Sequence, residues 1–274
     1  MAPSDTSTAP QKLLALFVSD VHLQESMPGT TAAFLNFLQS HAIRAQQLYV
    51  LGDLFEYWAG DDDLNTPFHR SVVDALRVVS DAGTMIFWIA GNRDFLISKE
   101  FADAAGATIL QDGSVIELAG RAIVLAHGDA QCTDDVDYIA FRQQVRQAGW
   151  QQKFLAQPLA QRKAIIDGMR KQSRAAQRSK AQQIMDVNPI AIDRLFAESG
   201  TRCMIHGHTH RPAVHVTGHD EQEQLRMVLQ DWDCDGDDAG SRRGGWIGIA
   251  FDGTVSRFDY DGVVLNQRAA TTRA

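Results

Sequence analysis

Five apolar runs in this chain end in side chains able to hold a divalent cation: Asp20 with His22, Asp53, Asn92, His127, and His208 with His210. Imidazole nitrogen mixed with carboxylate and amide oxygen, without thiolate, suits Mn2+, Fe2+ or Zn2+ at a working site better than a structural zinc. If one carboxylate bridges, the set suffices for two ions. Two ions about 3.5–4 Å apart would activate water and stabilise an in-line displacement at phosphorus. Asp-x-His and His-x-His are expected to put both members on one side of an extended segment, because side chains alternate with period two. The neighbouring Gly52, Gly91, Gly128 and Gly207 allow tight turns and close backbone approach. Singly, each residue has a plainer reading, as a core or surface histidine or a turn Asp or Asn. Jointly, that reading needs five coincidences at strand ends. His206 is expected to stand outside the set, and His41, His69, His215 and His219 to lie at the surface.

The elements that must position these groups follow from the pattern around them. Leu13 to Val18, Leu48 to Asp53, Met85 to Ala90, Arg121 to Asp129 and Cys203 to His210 each read as an apolar strand running into a polar cluster. Ala32 to Ile43 and Ser71 to Ala82 carry helical spacing, the second closed by Gly83. From Ala213 onward, short alternating segments around Val214, Met227, Trp246 to Phe251 and Val255 to Phe258 predict a strand-rich finish. Strand–helix alternation early and strands late imply an α/β domain with two sheets. Donors at the carboxyl ends of its strands would converge, since that edge of a sheet opens onto a crevice.

One segment breaks the pattern. Roughly Asp134 to Asn188 is helix-like and basic, with apolar stripes through Phe141, Trp150, Phe154, Ile166 and Met169. Between Phe141 and Lys180 stand ten Lys/Arg against a single acid, Asp167, so this segment carries +9 within a chain of net charge −8. The remainder, with 16 basic and 33 acidic residues, carries −17. Three readings are open: a solvated face packed on the core, a lid whose cations hold phosphate and whose apolar side takes acyl chains or meets a membrane surface, or a nucleic-acid track. The negative remainder weighs against a broad nucleic-acid surface.

With 274 residues, 45% of them hydrophobic, the chain can bury a full core. No apolar run reaches the roughly 18 residues a spanning helix needs. The opening "MAPSDTSTAPQK" reads as a disordered tail and not a signal peptide, and the sparse Cys132, Cys203 and Cys234 point to a reducing, cytoplasmic setting. The acidic "DWDCDGDDAGSRRGG" reads as a mobile loop. "GDDD" (Gly60 to Asp63) offers either a further metal site or, preferably, a loop or cap for the helix after Pro67. Glu56 suits a supporting place beside the ligands better than ligation, and Asp94 could orient a histidine or pair with Arg93.

In order along residues 20–210, "DVH", "GD", "GN", "HGD" and "GHTH" resemble the calcineurin-like metallophosphoesterases. The resemblance implies a four-layer αββα sandwich of two mixed sheets over residues 13–274, with residues 1–12 as tail and 134–188 as a helical lid. It implies one ion at Asp20, His22 and His210, a second at Asn92, His127 and His208, and Asp53 as the bridge. Longer stretches, "GDLFEYWAGDDD", "AGNRDFL", "HGDAQCTDDVDYIAFR" and "IHGHTHRPAVH", resemble the UDP-2,3-diacylglucosamine diphosphatase family. That family implies two Mn2+ ions and cleavage of a lipid-linked UDP-sugar to UMP and 2,3-diacylglucosamine 1-phosphate in lipid A biosynthesis, with water attacking the uridine-side phosphorus. It further implies peripheral attachment to the cytoplasmic face of the inner membrane, no nucleic acid and no obligate protein partner. Catalytic roles would fall to Asp53, Asn92 and Arg93, and substrate contacts to Asn92, Arg93, Asp135, Ser173, Lys180 and His208. Around Gln177–Arg178 and after Trp232 the chain departs from the family pattern.

Most of the superfamily carries histidine where this chain has Arg93. Arginine cannot protonate a departing alkoxide, but it can grip phosphate oxygens in two places and offset their charge. The expected leaving group is therefore a phosphate, and the bond a diphosphate, unless Arg93 is only an ion-pair partner. The alternatives are another metallophosphoesterase, such as a nucleotide phosphatase or nuclease, or a non-enzymatic scaffold. Loss of ligands would mark a scaffold, and none is lost.

Overall fold

The computed structural model describes residues 13–179, 186–236 and 238–268; of residues 172–179, Glu221 and Ala239 it describes the backbone only. The first strand, β1 (Leu13–Val18), is apolar on both faces, so it has to lie between two layers. Leu16 and Val18 face one core, while Ala15 and Phe17 face another. β2 (Gln47–Val50) and β3 (Met85–Ile89) repeat this two-faced pattern through Leu48 and Val50 against Tyr49, and Ile86 and Trp88 against Ile89.

These strands and β4 (Ala107–Leu110) pair in parallel, and β10 (Gly245–Ala250), β11 (Val255–Asp259) and β12 (Val264–Arg268) extend the sheet antiparallel from β1. The result is a seven-stranded mixed sheet in the order β12-β11-β10-β1-β2-β3-β4. A five-stranded mixed sheet, β5 (Ser114–Leu118), β6 (Arg121–Leu125), β7 (Cys203–His206), β9 (Gln224–Val228) and β8 (Ala213–Thr217) in that order, packs on its inner face. Phe17, Tyr49 and Ile89 meet Leu125, Ile205 and Met227 between the sheets. Helices α1 (Pro28–Ser40), α2 (Pro67–Asp81) and α3 (Lys99–Ala105) cover the outer face of the larger sheet, and α7 (Pro189–Ser199) covers that of the smaller through Ile192 and Phe196. This is the four-layer αββα sandwich.

Between β6 and α7 the chain makes a helical arm of α4 (Val136–Val145), α5 (Ala148–Leu155) and α6 (Leu159–Ser179). Its apolar side, Trp150, Phe154, Ile165 and Ile166, joins the core beneath α1–α3. Much of its positive charge is bound to the body of the protein. Arg162, only 2% exposed, bonds Asp62 and the Ala59 carbonyl, and Lys163 Nζ lies 2.6 Å from Asp63 Oδ1. Arg142 donates to Asp112 and to buried Asp129, each at 2.8 Å, and Arg146 to the Gly91 carbonyl at 2.7 Å. Replacing a half-buried, paired cation such as Arg142 leaves the buried Asp129 carboxylate without its cation, so these contacts fix where the arm sits.

Two sequence expectations change here. "GDDD" does not cap the helix after Pro67. Asp61 instead accepts from the amides of Ser98 (3.2 Å) and Phe101 (3.0 Å), from Ser98 Oγ (2.6 Å) and from Trp58 Nε1 (2.9 Å), capping α3 from a distant loop. Asp62 and Asp63 are taken by α6. His69 is buried and not at the surface, since α2 turns it between the rings of Phe55 and Trp58, and it faces the Asp63 carbonyl at 3.1 Å. His41 is half-buried against Trp246, while His215 and His219 are exposed as expected. Asp61→Ala should cost about 1–3 kcal/mol, because four donors lose one acceptor. Urea unfolding of the variant beside wild type measures it, and Asp61→Asn should recover part of the loss.

Candidate metal centre and its cleft

All seven strand-end residues meet at one edge of the sandwich. Asp20 and His22 follow β1, Asp53 follows β2 and Asn92 follows β3, all from the larger sheet. His127 follows β6, and His208 and His210 follow β7, from the smaller sheet. The pairs are not on extended backbone, however. Asp20, His22, Asp53, His208 and His210 have φ of 52°, 53°, 54°, 67° and 53°. Five of the seven thus sit in the left-handed region, where a residue with a Cβ costs about 1–3 kcal/mol. The alternation argument fails because each strand stops before its donors, and the turn re-aims them.

Close approach explains two glycines. A Cβ on Gly91 would stand 2.1 Å from Asp53 Oδ1, and one on Gly207 would stand 2.1 Å from Asp20 Oδ2. With no side chain there, Asp53 Oδ1 accepts the Arg93 amide at 2.7 Å, and Asp20 Oδ2 accepts the His208 amide at 2.8 Å and Ser19 Oγ at 2.5 Å.

Donor atoms of Asp20, His22 and His210 lie within 4.8 Å of one another, as do those of Asp20, Asp53 and His127. Asn92 Oδ1 is 2.9 Å from His127 Nε2 and 2.8 Å from His208 Nδ1. Asp20 Oδ1 is buried without a hydrogen-bond partner, an acceptor that a cation would satisfy. Three imidazoles have an oxygen behind them: His127 Nδ1 hydrogen-bonds the Leu51 carbonyl at 2.8 Å, while His22 Nδ1 and His210 Nδ1 lie at ion-pair distance, 3.2 Å from Glu56 Oε2 and 3.5 Å from Asp231 Oδ2. Each leaves Nε2 directed at the cluster, the arrangement that fixes a ligand's tautomer. Nitrogen and oxygen donors around a buried orphan carboxylate oxygen therefore fit a pair of divalent cations.

Burial alone would lower the His127 pKa, but Asp53, Asp20, Asp129 and the Leu51 carbonyl raise it to about 9. Burial and then the neighbouring His127 lower His208 to about 4. For Asp20, burial is outweighed by His210, whose Nε2 faces it at 3.5 Å, and by the charges of His127 and His22, which hold its carboxyl far below the usual range.

Glu56 is no ligand. It meets His22, lies 3.6 Å from Arg93 Nη1 and bonds Arg170 of α6. Burial would raise its pKa, but His22, Arg93 and Arg170 lower it to about 2. Asp94 neither orients a histidine nor pairs with Arg93. Fully buried, it accepts the amides of Gly91 (2.8 Å) and Leu54 (2.9 Å), holding together the two turns that carry Asn92 and Asp53. Asp135 accepts the Tyr138 amide at 3.1 Å as the N-cap of α4 and borders the cleft. Ser173 falls where only the backbone is described, and Lys180 lies outside the described residues. Sequence reading missed Asp129, Asp231 and Tyr138. Asp129 belonged to a quoted motif, but its partner Arg142 is visible only in three dimensions.

A cleft of about 690 Å³ opens from the cluster. Its lining combines His22, Asp53, Asn92, His208 and His210, with Arg93 and Arg170, and the apolar side chains of Phe95, Phe141, Trp150, Phe154, Ile166 and Met169.

Residues 13–212 match the family model described as calcineurin-like phosphoesterase. The chain belongs to that family. The phosphoesterase is 51% identical over 221 residues to UDP-2,3-diacylglucosamine hydrolase of Aromatoleum aromaticum, covering 81% of this chain and 90% of the relative. It is 48% identical over 217 residues to the protein of the same name from Cellvibrio japonicus, covering 79% and 90%. Among solved structures, the Zn-complexed Vps29 of Entamoeba histolytica aligns at TM-score 0.47 and 14% identity, over 93% of this chain and 98% of its own.

Because His127 is protonated in the metal-free phosphoesterase up to about pH 9, cation binding near neutrality has to expel that proton. The apparent Mn2+ affinity should therefore rise as pH climbs from 6 toward 9. Calorimetry in buffers of different ionisation enthalpy should record proton release, and pH-independent binding would place the cation elsewhere.

Proposed function

We propose that the phosphoesterase hydrolyses UDP-2,3-diacylglucosamine to UMP and 2,3-diacylglucosamine 1-phosphate, the diphosphate-cleaving step of lipid A biosynthesis, using two Mn2+ ions. The observation that carries this reading is the mixed lining of one cleft, in which a cation-binding cluster with a flanking arginine shares the cavity with aromatic and apolar side chains. A diphosphate with attached acyl chains has the same mixed chemistry. Relatives at 48–51% identity that bear the name UDP-2,3-diacylglucosamine hydrolase support it.

Asp20, His22 and His210 would hold one ion, Asn92, His127 and His208 the other, and Asp53 both. When bound, the ions supply a water of lowered pKa and positive charge for the phosphoryl oxygens. Arg93 is anchored by its amide to Asp53 and keeps its guanidinium at the cleft, where it grips the diphosphate as charge builds on the leaving phosphate. A phosphate leaves without needing a proton, so no general acid is required at this position. The arm α4–α6 acts as a lid whose Phe141, Trp150, Phe154, Ile166 and Met169 bury acyl chains. Among the arm's cations, Arg142, Arg146, Arg162 and Lys163 serve to hold the lid in place. Substrate contacts at Asp135, Ser173 and Lys180 belong to the same proposal, as does attachment to the cytoplasmic face of the inner membrane. No helix among the described residues is long and apolar enough to cross a membrane.

UMP release should be measured with Mn2+ and UDP-2,3-diacylglucosamine, beside the deacylated sugar nucleotide and bis-p-nitrophenyl phosphate. Fast, acyl-dependent release is expected; preference for the artificial diester would replace this reading with a general phosphodiesterase. Arg93→Ala should lower kcat by about 10²–10³, the loss typical of one transition-state donor. A change confined to KM would reduce Arg93 to a binding residue.

A further inference from the structure

Glu56 is 7% exposed and stands outside both groups of metal donors, yet it touches three functional parts of the molecule. Oε2 stands 3.2 Å from Nδ1 of His22, and Oε1 stands 3.6 Å from Nη1 of Arg93. The same Oε1 bonds Nη2 of Arg170, which projects from α6. The backbone makes this fixed geometry. Leu23 pairs with Phe55 as an isolated parallel bridge, and the Glu56 amide donates to the Leu23 carbonyl at 3.1 Å, so the turns bearing His22 and Glu56 cannot shift independently.

We propose that Glu56 is a positioning residue through which the seating of α6 and the occupancy of the metal centre strengthen each other. The inference rests on the metal-binding reading of the site and not on the identity of the substrate. The Glu56 carboxylate stands 3.2 Å behind Nδ1 of His22, which leaves Nε2 to the cation; a cation on Nε2 withdraws charge from the ring and strengthens the pull between its Nδ1–H and Glu56. A carboxylate held more firmly by His22 is a better-ordered partner for Arg170. By thermodynamic reciprocity, a seated α6 raises cation affinity by the factor by which the cation stabilises α6. Glutamine cannot substitute. Its single carbonyl oxygen has to replace two carboxylate oxygens that face His22 on one side and two guanidiniums on the other.

The test uses Mn2+ alone and the full chain. Amide hydrogen exchange is followed in the α6 peptide spanning residues 159–171, with and without the ion, while calorimetry gives the Mn2+ affinity. In wild type, Mn2+ should slow exchange of that peptide by about fivefold or more. E56Q should abolish the slowing and weaken the tighter response to Mn2+ by about 10–100-fold, the usual cost of losing a partner behind a ligand. R170Q, which touches no ligand and stands in if E56Q folds poorly, should also abolish the slowing and weaken Mn2+ binding by the factor that the wild-type slowing predicts. An α6 loosened by R170Q with unchanged Mn2+ affinity would make Glu56 an ordinary latch and overturn the proposal. Mn2+ binding in wild type without any exchange response would overturn it too, leaving the metal centre intact. Absence of Mn2+ binding would overturn both.

Discussion

The carboxylate of Asp20 is the joint between the two sheets. Its Oδ2 is occupied on one side by Ser19 Oγ, at the end of β1, and on the other by the His208 amide, in the turn after β7. The Asp20 carbonyl accepts the Trp232 amide at 3.0 Å, so the chain beyond β9 is drawn to the same point. Oδ1, facing His22 at 4.0 Å and His210 at 3.5 Å, is left to the cluster. A buried charge of this kind is tolerated only when it is matched by donors and positive charge. Every element that reaches this edge of the sandwich therefore has to deliver one or the other. The fold and the site share this requirement.

The left-handed turns serve it. Five non-glycine donors in strained backbone are an expense that two packed sheets can sustain because the strands behind them are buried on both faces. The turns bring the donors within a side chain's reach of one another, with His22 Nε2 3.3 Å from His210 Nε2 and Asn92 Oδ1 between His127 and His208. Supporting contacts then fix each ring. Asp231, which orients His210, is itself held by Arg243 Nε at 2.6 Å, and Arg243 and Asp233 exchange backbone hydrogen bonds at 2.8 and 2.9 Å. The acidic stretch read as a mobile loop is thus tied to the metal centre on one side and, through Asp235 on the amides of Gly29 and Thr30, to the start of α1 on the other.

How legible this was depended on the kind of signal. Strands buried on both faces write continuous apolar runs, so β1, β2, β3, β6 and β7 were found with the donors at their ends. β4 and β5, with exposed or half-buried positions along them, write no such run and were missed, as was the short α3, whose cap comes from Asp61 far away in sequence. The basic segment showed its charge but not what the charge was for. Arg142, Arg162 and Lys163 answer acids at Asp129, Asp62 and Asp63, pairings between residues 13 to 100 positions apart that no local pattern encodes. Glu56 was legible as a neighbour of the ligands; that one carboxylate serves His22, Arg93 and Arg170 was not.

The central claim is that strand-end donors from both sheets hold two cations. Anomalous diffraction at the manganese edge from crystals grown with Mn2+ tests it directly. Two peaks are expected, one among Asp20, His22 and His210 and one among Asn92, His127 and His208, with Asp53 between them. A single peak, or peaks away from these side chains, would contradict it.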